Sequence, residues 1–254
     1  MTALLPYLDQ DPMFQALLAV TASGSDAYDI QTMTLPGVRE MTVDAYRCPT
    51  AQLPSDFGGM RMMRSAFVGI AGSASLIPGY TDPTLYSGTA GSNCAGGING
   101  TVSGAGMLFP IGQVRVRQIS DGTSKTMLAS ECGALVRVAG SLVDLRTAVG
   151  FHLGYRTPSP VSPPPSLSGD IRTWNMTTVR YRINQVTFTG YDCANGGLCS
   201  GCQTHNNQPL RSSHRQGVNA VMADGSVRFL TDETDPVVLG SLCNRFDGQD
   251  VALP

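Results

Sequence analysis

The sequence predicts an α+β fold rich in β-structure, with an antiparallel sheet, a short N-terminal helix and long Gly/Pro-rich loops. Three observations carry this. Two apolar runs, Val218–Ala223 and Val227–Phe229, flank Asp224-Gly225, the strongest short-range hairpin signal. Gly 29 and Pro 16 are high counts and Lys125 is the one lysine, which suits a turn-rich β protein. Asp11-Pro12 supplies N-cap and first-turn chemistry, and the apolar stretch behind it is short.

In chain order, Met1–Leu8 reads as the end of a preceding helix, and Met13–Val20 as the helix opened by Asp11-Pro12. Residues 1–20 are thus a remnant N-terminal helical region of a single domain over 1–254. Residues 22–36 are loop-like. Ala66–Ala71 and Gly106–Phe109 read as short strands. Between them, 73–106 is rich in Gly, Ser, Thr and Asn, and is expected to be a long surface excursion. Val114-Arg115-Val116-Arg117 alternates like an edge strand. Asp121-Gly122 marks a second turn, and Thr126–Glu131 the strand after it. Residues 157–170 begin T-P-S-P-V-S-P-P-P-S, which is prone to polyproline conformation and cannot join a ladder; they form a second long loop.

The hairpin at 218–229 anchors the reading. Val218, Ala220 and Met222 share one face of the first strand; Val221 and Ala223 lie on the other. A strand apolar on both faces belongs inside the fold. In the second strand Val227 and Phe229 alternate with Ser226 and Arg228, so it is expected to be half exposed. A type I′ turn is expected at Asp224-Gly225. His214 and Asp224 are ten residues apart with extended chain between them, a span approaching about 30 Å, so they cannot form a dyad. His214 is expected to satisfy backbone groups where the strand begins, and Asp224 to serve the turn.

Charged residues are only 14% and the net charge is −2, so there is no electrostatic case for nucleic acid or an anionic membrane. A low-charge surface suits contact between copies of the chain. No run approaches the ~18 apolar residues that a bilayer crossing needs.

Several segments together resemble a known family. Leu4-Leu5-Pro6-Tyr7-Leu8-Asp9-Gln10, Tyr46-Arg47-Cys48-Pro49, Ser65-Ala66-Phe67-Val68-Gly69, and Ile119-Ser120-Asp121-Gly122-Thr123-Ser124-Lys125-Thr126 followed by Glu131 are similar to elements of the bacterial H-X9-DG family. His214, nine residues, then Asp224-Gly225 is its hallmark, and Asp247–Val251 resembles its closing stretch. The resemblance implies a pilin- or pseudopilin-like head, here without the N-terminal apolar helix that relatives carry. It implies an extracellular or cell-surface, non-catalytic subunit that packs against copies of itself into a filament. Membrane contact would come only through an N-terminal helix absent from this chain. His214, Asp224, Gly225, Asp121 and Gly122 are then structural motif residues.

The chemistry-bearing residues are few. Cys48, Cys94, Cys132, Cys193, Cys199, Cys202 and Cys243 are disulfide candidates in an oxidising setting. Cys193, Cys199, Cys202 and His205 also have the donor types of a zinc site, in a spacing that matches no standard pattern; disulfides, zinc and free thiols stay open. Asp232, Glu233, Asp235, Asp247 and Asp250 offer oxygen ligands for calcium, set against a solvated acidic rim with Asp232–Asp235 capping a short helix. No cofactor is expected, with structural zinc or calcium as the alternatives. Asn99 and Asn175 stand in glycosylation sequons, and Thr157, Ser159 and Ser162 have the Pro-rich context of O-glycosylation. There is no G-x-S-x-G, H-E-x-x-H or phosphate-loop motif, so no catalytic residue is named. The alternative function is an extracellular ligand- or glycan-binding module, its platform built from Tyr80, Tyr86 and Trp174 on the long loops.

Overall fold

A computed structural model describes residues 2–22, 40–51, 53–54, 62–88, 100–146, 150–152, 163–166, 173–190 and 206–252. The chain opens with a 3-10 helix over Thr2–Leu8, and Asp9 at φ 56° turns it into α1 (Asp11–Ala22). The strands that follow are β1 (Phe67–Ser73), β2 (Tyr86–Gly88), β3 (Gly100–Val102), β4 (Met127–Glu131) and β5 (Val136–Val138). After them come β6 (Ser141–Val143), β7 (Met176–Val179), β8 (Thr187–Phe188), β9 (Gly217–Met222) and β10 (Val227–Thr231), then α2 (Pro236–Cys243). This is the α+β, strand-rich architecture expected.

The main sheet has the order β10-β9-β4-β1-β7. Its first four strands pair antiparallel, but β7 joins β1 in parallel, so the sheet is mixed rather than wholly antiparallel. Smaller sheets have the orders β2-β3 and β6-β5-β8. The doubly apolar β9 is an inner strand, as its pattern requires. Val218, Ala220 and Met222 are fully buried and pack with Val68, Ile70 and Met127 under Leu239, Leu242 and Cys243 of α2. Burying each of the Val, Ile, Leu and Met side chains contributes about 1.5–3 kcal/mol. Asp235 caps α2 by accepting from the Val237 N–H at 2.7 Å, with Pro236 in the first turn. A second cluster, Leu5, Leu17, Val43, Tyr46, Met63 and Phe151, seats the N-terminal helical region.

Four sequence expectations are corrected. First, Val116–Gln118 is a 3-10 helix, not part of an edge strand; the Gln118 Oε1 accepts from the Arg115 N–H, and Val116 stays exposed. Second, 106–109 is not a strand. It crosses β1 instead, with Gly106 N–H donating to the Ala71 carbonyl and Met107 N–H to Ile70. A Cβ at Gly106 would lie 2.5 Å from backbone atoms of Ala71 and Gly72, so only glycine permits the crossing. Third, the described parts of 73–106 are only partly a surface excursion, with Ser75, Pro78, Gly79, Thr81 and Pro83 exposed. Ile77, Asp82, Val102, Ser103 and Ala105 are buried, and Asn207 stitches Thr101 to Thr178 beneath them. Polar loops can go inside when side-chain amides satisfy the backbone.

Fourth, the turn between β9 and β10 is a three-residue loop. Gly225 N–H donates to the Met222 carbonyl, Met222 N–H to Ser226, and only Gly225 of the two central residues has positive φ, at 85°. That is a type I turn followed by a left-handed glycine rather than type I′. The extra residue also sets the phase of β10. Leu230 points into the core, and Val227 and Phe229 point outward, 64% and 46% exposed.

Candidate functional site

Three of the segments that resemble the H-X9-DG family, those carrying Cys48, Glu131 and His214, meet at one end of the main sheet. β4 ends at Glu131, whose backbone carbonyl accepts from the Arg211 N–H. Arg211 is fully buried and spends its guanidinium on the carbonyls of Ala134, Cys132 and Pro209. Burial pushes its pKa down to about 10, which leaves it charged at neutral pH. This buried cation pegs the segment leading into β9 against the end of β4. The next residues form a tight corner: the Ser212 hydroxyl donates to the Gly217 carbonyl at 2.7 Å and accepts from the His214 N–H at 3.0 Å.

That corner aims His214 at the sheet. Its Nε2 lies 3.1 Å from Glu131 Oε1. Glu131 is only 2% exposed, and its other oxygen accepts from the Asn219 N–H at 2.6 Å and side-chain Nδ2 at 3.2 Å. A buried carboxylate costs several kcal/mol unless paired, and here three donors face it. The third member is Cys48, placed by the 3-10 turn Asp44–Tyr46 and by the Ala66 N–H to Tyr46 carbonyl bond. Its sulfur sits 3.8 Å from the same His214 Nε2 and 3.1 Å from Thr50 Oγ1. Among the described residues, Cys48, Glu131 and His214 are the one place where three metal-ligating groups converge, all within 4.8 Å.

A thiol, an imidazole and a carboxylate invite comparison with a Cys–His–acid relay. Such a relay needs the ring between the other two, one at each nitrogen, so that a proton passes through it. Both partners here sit at Nε2, so the ring does not bridge them. Cys48 also lines a neighbouring cavity of about 290 Å³ with Arg47, Arg64 and Arg146. Arg64 and Arg146 both bind the Asp144 carboxylate, at 2.9 Å and 2.7 Å. Burial would raise the Asp144 pKa, but its Arg146 hydrogen bonds and the Arg64 charge outweigh this and hold it below the usual range.

Asp224 accepts from the Ser226 N–H and hydroxyl at 2.9 and 2.7 Å, serving the turn as expected. Asp121 lies just before Gly122 (φ 97°) and accepts from the Asp247 and Gly248 N–H groups, joining two further segments of the resemblance. His214 is corrected: its ring meets Glu131 and Cys48 rather than backbone groups. The disulfide expectation is corrected for three cysteines, since Cys48, Cys132 and Cys243 are free thiols. Cys132 and Cys243 are core packing, and burial raises both pKa values, that of Cys132 to about 11. The glycan platform is corrected too: Trp174 is 1% exposed and cannot stack on a ligand. The candidate calcium ligands do not converge. Asp232 accepts from Asn184 Nδ2, Asp235 caps α2 and Asp250 pairs with Lys125. Asn175 spends its Nδ2 on the Gly150 carbonyl at 2.7 Å. Cys94, Cys193, Cys199, Cys202, His205, Asn99, Thr157, Ser159 and Ser162 lie outside the described residues.

Sequence reading did not name Glu131 as a site residue. The signal was its place at the close of a segment resembling the family, four residues after the strand's first residue.

The family model described as "Protein of unknown function (DUF1559)" matches residues 1–237. The chain belongs to that family. Its match includes Cys48, Glu131, His214 and the Asp224-Gly225 turn, and stops within α2. Neither the curated proteins nor the solved structures contain a significant match to the chain.

Proposed function

We propose that this DUF1559 member is a non-catalytic structural subunit of an extracellular or cell-envelope assembly, and that it self-associates into a pilus-like or other filament. The finer H-X9-DG, pseudopilin-like identity is part of this reading, and the resemblance of its separate segments supports it. The observation that carries the proposal is an edge of the main sheet that no strand covers among the described residues. Among the described residues β10 is an edge strand with no proline and no lysine, Arg228 is its one charge, and it turns Val227 and Phe229 to solvent. Edge strands usually carry such guards, because a bare row of N–H and C=O groups pairs readily with another strand. β6, the edge of the smaller antiparallel pair, likewise exposes Leu142. Two unlike sticky edges favour head-to-tail contact, and head-to-tail contact that does not close grows a fibre.

The test is particle length. The full-length gene product is followed by sedimentation and negative-stain microscopy across a concentration series. Elongated particles that shorten in Val227→Lys and Phe229→Lys support the proposal. A strictly monomeric species at the highest concentration overturns it.

A further inference from the structure

We infer that Cys48, Glu131 and His214 form a three-ligand site for a divalent transition metal of the zinc class, with its fourth position open. This does not depend on the filament reading. The donor set comes first. Thiolate, imidazole and carboxylate are zinc's ligands; sulfur does not suit calcium or magnesium. A thiolate and a carboxylate carry two negative charges between them, which a divalent ion balances beside a neutral imidazole.

Two of the three ligand–ligand distances agree with a shared centre, and all three lie within 4.8 Å. Zinc bonds of ordinary length at tetrahedral angles put sulfur and nitrogen about 3.6 Å apart, and nitrogen and oxygen about 3.3 Å apart. The sulfur–nitrogen distance here is 3.8 Å and the nitrogen–oxygen distance 3.1 Å. Hydrogen bonding explains this less well. A single N–H at Nε2 points at one acceptor, yet both the sulfur and the carboxylate crowd that one atom. A cation among them lets all three lone pairs aim inward.

The surroundings are those of a held site. Glu131 Oε2 is fixed by the Asn219 N–H and Nδ2, which leaves Oε1 for the ion. Ser212 fixes the corner that presents His214. The ligands come from three segments, with Cys48 and His214 166 residues apart, so only the folded chain assembles them. Access exists on two sides. The His214 side chain is 32% exposed, and Cys48 lines the cavity of about 290 Å³, which leaves room for a fourth, small-molecule ligand.

The experiment titrates the full chain, under a non-chelating reductant, with Co²⁺ as spectroscopic probe and Zn²⁺ as competitor. One equivalent is expected, with a thiolate-to-cobalt charge-transfer band and the visible bands of a four-coordinate ion. Cys48→Ser and His214→Ala should each weaken binding by more than the roughly 10–100-fold that losing a second-shell partner costs; Asn219→Ala should fall within that range. The triple variant Cys193→Ser, Cys199→Ser, Cys202→Ser should keep the band. Loss of the band in the triple variant with retention in Cys48→Ser would overturn the inference, as would its absence from the parent chain. Zn²⁺-induced thermal stabilisation is the second readout. It should be present in the parent chain and absent in His214→Ala, whose partly exposed side chain can be lost without emptying the core. Equal stabilisation of both overturns the inference.

Discussion

The two ends of β9 are held by different physics. At its C-terminal end, Asp224, Gly225 and Ser226 make a turn almost wholly from their own atoms: a side-chain carboxylate, a left-handed glycine and two backbone bonds. At its N-terminal end the local Ser212 bonds act with partners from distant segments. The corner at 212–216 is fixed by a buried carboxylate from β4, a buried arginine spent on carbonyls and a thiol from near residue 48. One end costs little chain entropy, because its partners are neighbours. The other brings together segments far apart in sequence, and it tolerates loss of a partner poorly because the groups left behind are buried.

The largest effect should come from breaking the long-range end. Glu131→Ala strips the partners from the Asn219 N–H, its side chain and His214 at the sheet interior. We expect a loss of about 3–5 kcal/mol, read as a fall in the urea midpoint at unchanged slope with a chelator present. Glu131→Gln keeps an acceptor for Asn219 and should lose less. A loss under 1 kcal/mol for Glu131→Ala would show that the two ends do not differ.

His214→Ala removes one donor from a site that solvent reaches, so about 1–2 kcal/mol is expected from the same measurement. Gly225→Ala comes next. Its φ of 85° strains any L side chain, while no atom lies within 4 Å of the added Cβ, so the cost is backbone strain alone, about 1 kcal/mol. That cost should appear as a local gain in amide exchange around 223–226, with the Glu131 end unaffected.

The smallest effect sharpens the local end. The Ser226 hydroxyl, then its N–H, hold the Asp224 carboxyl below the usual aspartate range. A group whose folded pKa is depressed stabilises above its unfolded value, and that contribution is lost as pH falls through the folded value. Asp224 should therefore support the turn at neutral pH and release it only below the ordinary aspartate pKa. In a carboxyl NMR titration, Ser226→Ala should move Asp224 back up.

The same contrast runs through what was legible beforehand. The short helix after Asp11-Pro12, the strands expected at 66–71 and 126–131, the hairpin and the Asp235 cap all rest on neighbours in sequence, and each appears there to within a residue or two. Alternation in 114–117 misled because a glutamine side chain three residues on closed a 3-10 turn. β10 is half exposed as expected, and one extra loop residue, which flips the phase of every side chain after it, decides that Val227 and Phe229 face outward.

By itself the sequence determined the α+β class, the hairpin and the absence of a local catalytic motif, since propensity, turn chemistry and period-2 burial act over a few residues. Only the tertiary structure decided that Cys48 is a free thiol facing His214, that Glu131 lies between them and the Asn219 amide, and that Trp174 is buried. Those facts depend on which distant segments share a sheet end. No local pattern encodes such a meeting, because its energy exists only after the chain has closed.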